Sequence, residues 1–342
     1  MSERDFDVLW AFSTKKQSAY GTKLADADLT LATPFKGPDV VVRTPTVETD
    51  SEQAGRGSAS GGFPESQEIE RWDVRVARNF DLTSLMAGWA AAFGLGQVTT
   101  SQPDSVGAPN TYDHQCRFIT SSKQLPVTSL VEQATSGAAL KSLYRDLAVA
   151  DFEISAESPG RLQLKVNLVG SGYRETSTLA MPSVTAGSFL RMHGVTFQVG
   201  PTGSEVDVSS RLKSFSLEVN NNPLEDDGYF PGSGLYRGRL EYGKRREVEL
   251  SFRILVSDAT ERDHLEAGDY LKAIITAVGA TIESTYKHTL TITVPRLAYR
   301  ALPMGFEDGM AVYDIEANVF HDATSGYPLD ITVRNNIASY MA

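Results

Sequence analysis

Cysteine is nearly absent from the 342-residue chain: Cys116 is the only one. A lone thiol excludes an intramolecular disulfide and a cysteine-based zinc site. Histidine is also sparse. His114, His193, His264, His288 and His321 are scattered, with no pair at a helical spacing of three or four residues. Long apolar runs are missing too. The longest, Leu85–Leu95, contains two glycines and is about half of the ~20 residues that span a bilayer core. The opening Met-Ser-Glu-Arg-Asp-Phe-Asp has neither the basic nor the apolar region of a secretory signal, so synthesis in the cytoplasm of the producing cell is expected. Basic residues are the minority: 32 Lys and Arg stand against 43 Asp and Glu, a formal charge of −11. That balance argues against clamping nucleic acid through neutralised phosphates. It does not argue against a surface that DNA must slide past without sticking.

What is present is alternation. Trp72, Val74 and Val76 alternate with Arg71, Asp73 and Arg75. Phe152 and Ile154 alternate with Asp151, Glu153 and Ser155, and Leu162, Leu164, Val166 and Leu168 with Arg161, Gln163, Lys165 and Asn167. The same period recurs at Ser214–Asn220, Glu247–Ile254, Leu290–Val294 and Tyr313–Val319. A period of two with one polar side predicts antiparallel sheet wetted on one face. Seven such runs separated by turn residues predict a mainly β protein.

Two segments carry helical spacing. Leu82, Leu85, Met86, Trp89, Ala90 and Phe93 predict a helix capped by Asp81 and stopped at Gly94. Ala267, Leu271, Ile274, Ile275 and Val278 predict a second, which Asp258-Ala-Thr-Glu261 would open as a capping box and Gly279 would end. The order of strand, one helix, then strands thus occurs once in each half. Two domains are expected, residues 1–180 and 181–342, joined through the Ser, Thr, Pro and Gly cluster at 176–187, although residue-level identity between the halves is not visible. The stretch Thr44–Ser66, rich in Gly and Ser, is expected to be a long mobile loop or an arm ordered by a partner.

Catalytic constellations are hard to find. Asp113-His114-Gln115-Cys116 offers three ligand types in a row, but neighbours on an extended chain point to opposite faces, and a solvated turn is the simpler reading. Gly57-Ser-Ala-Ser-Gly61 lacks the central serine of a nucleophile elbow. Gly232–Gly238 lacks the spacing of a phosphate loop and suits a hairpin tip. Glu225, Asp226 and Asp227 lack a calcium-loop pattern and suit an exposed acidic turn. Lys244, Arg245 and Arg246, set among glutamates, suit a solvated strand entry or an intersubunit salt-bridge strip. Tyr229, Phe230, Tyr236 and Tyr242 beside them suit hairpin packing or a patch for a neighbouring copy. No catalytic, cofactor-binding or metal-ligating residue is assigned, and no cofactor is expected.

The run Ser-Phe-Ser-Leu-Glu-Val-Asn-Asn-Asn-Pro from Ser214, the acidic turn, the Gly- and Arg-rich hairpin and Arg-Arg-Glu-Val-Glu-Leu-Ser-Phe form an ordered set. Together they resemble the tail tube proteins of long-tailed bacteriophages. The helix expected around Leu265–Ile275, then Thr-Leu-Thr-Ile-Thr-Val-Pro-Arg at 289–296, agree with the resemblance. So does Ser-Gly-Tyr-Pro-Leu-Asp-Ile-Thr-Val-Arg-Asn ending at Asn335. The first half matches more loosely, through Ala19-Tyr20-Gly21-Thr22 and Gln124-Leu-Pro-Val-Thr128.

The resemblance implies two antiparallel β-sandwich, barrel-forming domains, each with one flanking helix. It implies a structural virion protein, not an enzyme, whose copies form stacked rings as a conduit for DNA. Three chains with pseudo-six-fold symmetry are expected from two tube-like halves, with a homohexamer as the alternative. Implied partners are further copies of the chain, a tape measure protein, tail terminator and distal tail proteins, and transiting double-stranded DNA without specific binding; no membrane is involved. Rival readings are a capsid or tail decoration protein, a carbohydrate-binding virion protein and a tube subunit of a contractile injection system. Fixed carboxylates on a conduit would repel phosphate.

Overall fold

In a computed structural model of the chain, the described residues are 9–34, 42–49, 67–133, 141–185, 187–224, 228–243, 245–307 and 309–342. All seven alternating runs are strands, and antiparallel pairing joins them. The chain opens with β1 (Leu9–Phe12), β2 (Leu31–Pro34), β3 (Val42–Thr49) and β4 (Gln67–Asp81). Helix α1 (Ser84–Leu95) follows, then β5 (Gly96–Ser101), β6 (Tyr112–Phe118), β7 (Thr128–Gln133), β8 (Lys141–Glu157), β9 (Gln163–Gly170) and β10 (Arg174–Thr176). The remainder is β11 (Val195–Gly200), β12 (Val206–Asp207), β13 (Leu212–Asn220), β14 (Glu247–Leu255) and helix α2 (Thr260–Ala267). It ends with β15 (Leu271–Glu283), β16 (Tyr286–Ala301), β17 (Met304–Glu307), β18 (Met310–Val319) and β19 (Asp330–Asn335).

One run of strands organises the rest, in the order β3-β4-β9-β8-β13-β14-β18-β17. Its inward residues, among them Val76, Phe80, Phe152, Ile154, Leu164, Leu217 and Phe252, belong to one large buried cluster. Behind them lie β2-β1-β7 with the first part of β8 and β10, and β12-β11-β15-β16-β19-β6-β5. β8 serves both layers: its first residues pair with β7 and β10, its last with β9 and β13. Between them the backbone turns at Asp146, whose φ of 59° is in the left-handed region. The buried Asp146 carboxylate anchors that turn by accepting from Gln17 Nε2 (2.8 Å), Gly21 N (2.6 Å) and Ser171 Oγ (2.9 Å).

Helix α1 forms where expected, but its ends differ. Thr83, not Asp81, is the N-cap: its side chain accepts from Met86 N, and Asp81 still belongs to β4. Gly94 lies inside the helix, which ends at Gly96 in the left-handed conformation. Every residue of α1 is buried, so the helix is a core element rather than a flanking amphipathic one. Asn221 fastens it to the sheet, donating from Nδ2 to Gly94 O (2.8 Å) and Val149 O (3.0 Å).

The second expected helix is largely a strand. Helix α2 stops at Ala267, closed by left-handed Gly268, and residues 271–283, Gly279 included, form β15. Leu271, Ala273, Ile275 and Ala277 are buried while Lys272, Ile274 and Thr276 are not, a period of two that overlaps the helical spacing of the same apolar residues. Ile274, Ile275, Thr276 and Val278 are β-branched and favour the strand. The capping-box pattern at Asp258 is also displaced. Asp258 accepts the Thr260 N–H (2.9 Å), whereas Glu261 is buried against Arg211 (3.0 Å).

Thr44–Thr49, expected as the beginning of a mobile loop, are strand residues paired with β4; residues 50–66 lie outside the described residues. The connection from β13 to β14 turns back on the first half instead of projecting as a free hairpin tip. Trp72 N donates to Leu235 O, Arg237 N to Ser171 O and Leu125 N to Leu240 O. The connector thereby occupies the edge of β4 beyond the point where β9 stops.

Candidate functional site

The most distinctive surface is the outward face of this strand run. On β8 it presents Asp151, Glu153 and Ser155, on β9 Gln163, Lys165 and Asn167, and on β13 Ser214, Ser216 and Glu218. β14 adds Glu247, Glu249, Ser251 and Arg253, and β18 adds Asp314 and Glu316. Their inward neighbours are the buried apolar residues, so strand periodicity alone forces these groups onto one wet surface.

Register then aligns them. Lys165 stands opposite Glu153, Glu153 opposite Glu218, and Glu218 opposite Glu249. Three carboxylates therefore occupy consecutive directly opposed positions, an arrangement that destabilises a sheet. Glu218 shows it: partial burial, with repulsion from Asp151, Glu153 and Glu249, raises its pKa above the usual carboxylate range. Burial raises Asp151 as well, against an opposing hydrogen bond from Asn167. Compensation is partial. Ser216 donates to Glu153 (2.7 Å), Arg253 pairs with Asp314, and Arg300 reaches Glu249 (3.2 Å) and Glu316 (2.8 Å). The face is thus a negatively biased polar wall, with hydroxyls and carboxylates and few cations.

The other polar groups serve the fold. Asp113, Gln115 and Arg117 fall on one side of β6, and His114 and Cys116 on the buried other side. The segment is therefore a strand and not a solvated turn. His114 Nε2 is 2.8 Å from Ile337 O and its Nδ1 is 2.9 Å from Thr100 Oγ1, and burial lowers its pKa. Asp113 faces away and holds Arg334 through two contacts of 2.6 and 2.7 Å. Burial raises the Cys116 thiol far above its ordinary value. Among the described residues no three His, Cys, Asp or Glu side chains gather as a metal site would require. No helix among them is long and apolar enough to cross a membrane.

The glycine motif at 57–61, the acidic run 225–227 and Lys244 lie outside the described residues. Arg246 stacks 3.7 Å above Tyr242, and Tyr229 donates to Asp73 Oδ1 (2.7 Å) and Trp72 O (3.0 Å). The connector aromatics thus largely pack on their own chain, with Phe230 the exposed member. Two features escaped the alternation argument. Arg78, in the position of an apolar inward residue of β4, forms a fully buried pair with Glu132 (3.0 Å), which also accepts from Trp10 Nε1 (3.0 Å). The alignment of Glu153, Glu218 and Glu249 is the other, because the register between β8, β13 and β14, strands far apart in the sequence, sets it.

A family model described as "Phage tail tube protein" matches residues 11–319 of the chain. No curated protein matches it.

Proposed function

The chain belongs to the phage tail tube protein family, a structural component of the virion tail, and we propose that its copies close into stacked rings whose bore is lined by the carboxylate face. The observation that carries this reading is the row Glu153–Glu218–Glu249. Adjacent like charges cost stability in the subunit, and a conduit gives them a use: fixed negative charge repels phosphate and keeps transiting DNA from adhering. The subunit performs no catalysis in this reading. The halves 1–180 and 181–342 each act as one tube unit, so three chains make a ring with pseudo-six-fold symmetry, and heterologous contacts close it. Tape measure, terminator and distal tail proteins meet this tube along its bore and at its ends.

Electron microscopy of the concentrated protein tests the proposal. Hollow tubes or rings whose images show three chains per ring are the expected result. Particles that remain single chains at high concentration, or solid filaments without a bore, would overturn it.

A further inference from the structure

The strand pairings occur twice in the same scheme. β1–β2, β1–β7, β7–β8, β8–β9, β8–β10, β3–β4 and β4–β9 make up the first set. β11–β12, β11–β15, β15–β16, β17–β18, β16–β19, β13–β14 and β14–β18 repeat it in the same chain order, with β16 and β17 together in the place of β8. The β5–β6 hairpin is an addition to the first set. In the run β3-β4-β9-β8-β13-β14-β18-β17, the central contact β8–β13 therefore joins the last strand of one set to the first strand of the other. At its two ends β17 and β3 each pair with one neighbour among the described residues.

We propose that β17 of one copy pairs antiparallel with β3 of the next, in the register that β8 and β13 show within the chain. The proposal rests on the reading of this chain as a ring-forming subunit. The helix caps align the two sets: Phe80 precedes the N-cap Thr83 by three residues, as Val256 precedes Ala259. Phe80 stands opposite Leu164, and Val256 N bonds Ala311 O, which makes Leu164 and Ala311 equivalent. Their partners Ile154 and Phe306 are then equivalent, as are Leu217 and Arg43 on the opposite edge. Because Ile154 stands opposite Leu217, Phe306 meets Arg43 of the next copy, Gly305 meets Thr44, and Met304 meets Pro45.

Burial supports this occupant. Ile154 and Phe152 are fully buried, whereas their equivalents Phe306 and Met304 are 75% and 59% exposed. Two large apolar side chains on a bare strand edge need a cover, and a second copy supplies it. Arg43 already lies 3.7 Å over Trp72, leaving an aliphatic stem and a guanidinium for Phe306 to pack against. Pro45 is compatible with the arrangement. Trp72 donates its N–H away from β3, to Leu235 O, so the Pro45 nitrogen faces the outer edge, where it removes one donor and leaves its carbonyl.

Disulfide trapping tests the register. The equivalent of Thr44–Gly305 is Glu218–Glu153, a non-hydrogen-bonded pair since Asn221 N bonds Ala150 O three positions on. Such pairs hold their Cβ atoms at a separation a disulfide can bridge. A Cβ at Gly305 would touch only Val312 Cγ2 at 3.7 Å, and native Cys116 is buried. Assembled full-length Thr44→Cys/Gly305→Cys, oxidised with diamide, is expected to give a ladder on denaturing gels ending at covalently closed rings. Thr44→Cys/Glu307→Cys, two residues out of register on the same face, is expected to give at least tenfold less cross-linking. Rings in the electron microscope that cross-link equally in both variants, or in neither, overturn this pairing and leave the ring reading standing. A wild-type chain that forms no rings at any concentration overturns both.

Discussion

Glu153 and Glu218 face each other directly across β8 and β13, with Glu249 opposite Glu218 on the far side. A sheet selected for subunit stability alone would place opposite charges or Thr pairs there. Removing the central charge with Glu218→Gln should therefore stabilise the subunit at pH 7, by about 0.2–1 kcal/mol for each like-charge contact relieved. Chemical denaturation of wild type and variant side by side checks it. A variant less stable than wild type contradicts the repulsion.

The same groups set a pH dependence. Folding raises the Glu218 and Asp151 pKa values, so the folded state holds their protons more tightly than the unfolded chain. Their penalty is complete above the raised values and is relieved as pH falls toward the ordinary carboxylate range. From pH 7 down to about 5 these two groups make the subunit more stable, and Glu218→Gln should lose its share of that gain. Below the ordinary range the trend reverses. Glu205 and Asp258, both held at about 2 by hydrogen bonds led by those from Lys272 and Thr260, begin to lose their favourable contacts as they protonate. Thermal melts from pH 7 to 5 in wild type and variant read the difference directly.

Alternation made the sheet legible because each strand half-buries itself, and Val248, Leu250, Phe252 and Ile254 could only be one face of a strand. The β15 segment was illegible for the reason that Leu271 and Ile275 satisfy a helical and a strand period alike, while Ile274 and Val278, on the other face of the strand, fit the helical one. Tertiary pairing with β11 and β16 decided between them. Polar residues of the candidate face could be read one strand at a time. Their alignment into a row could not, since register belongs to pairs of strands distant in sequence. Arg78 was hidden for a related reason: its partner Glu132 arrives from β7, and nothing near Arg78 announces it.

That pair yields a third prediction. Arg78 and Glu132 are each 2% exposed in their side chains. Glu132→Leu leaves a guanidinium without its main counter-charge in the core and removes the acceptor of Trp10 Nε1. A loss of about 3–5 kcal/mol is expected. Adding Arg78→Met should recover a large part of it, because the second substitution deletes the stranded charge. Equal stability of the single and double variants would contradict a charge-based cost.

Gly94 gives a sharper test of α1 packing. Alanine is ordinarily better than glycine inside a helix by about 1 kcal/mol. Here a Cβ would lie 2.5 Å from the Phe152 ring, itself fully buried. The overlap outweighs propensity, and Gly94→Ala should destabilise by about 1–3 kcal/mol. Combining it with Phe152→Leu, which frees the ring volume, should make the alanine less costly than it is beside phenylalanine. Thermal unfolding of the four proteins forms the cycle that measures this coupling.

The last prediction concerns DNA. If the carboxylate face lines the bore, reversing it changes transport and leaves the fold in place, since Glu218 and Glu249 are exposed and Glu153 is half-buried. Glu153→Lys/Glu218→Lys/Glu249→Lys would exchange a repulsive row for cations aligned on the phosphate path. Lys165 beside Glu153 adds to that positive field. Each lysine that contacts a phosphate releases condensed counterions, so adhesion should be strong at low salt and weaken steeply as salt rises. In virions carrying the variant, DNA ejection should slow or stall at low ionic strength and recover toward the wild-type rate at high ionic strength. The neutral triple Gln variant separates charge reversal from loss of glutamate and should fall between the two. Wild-type ejection rates at every salt concentration, in virions shown to contain the lysine variant, would place the face elsewhere than the bore.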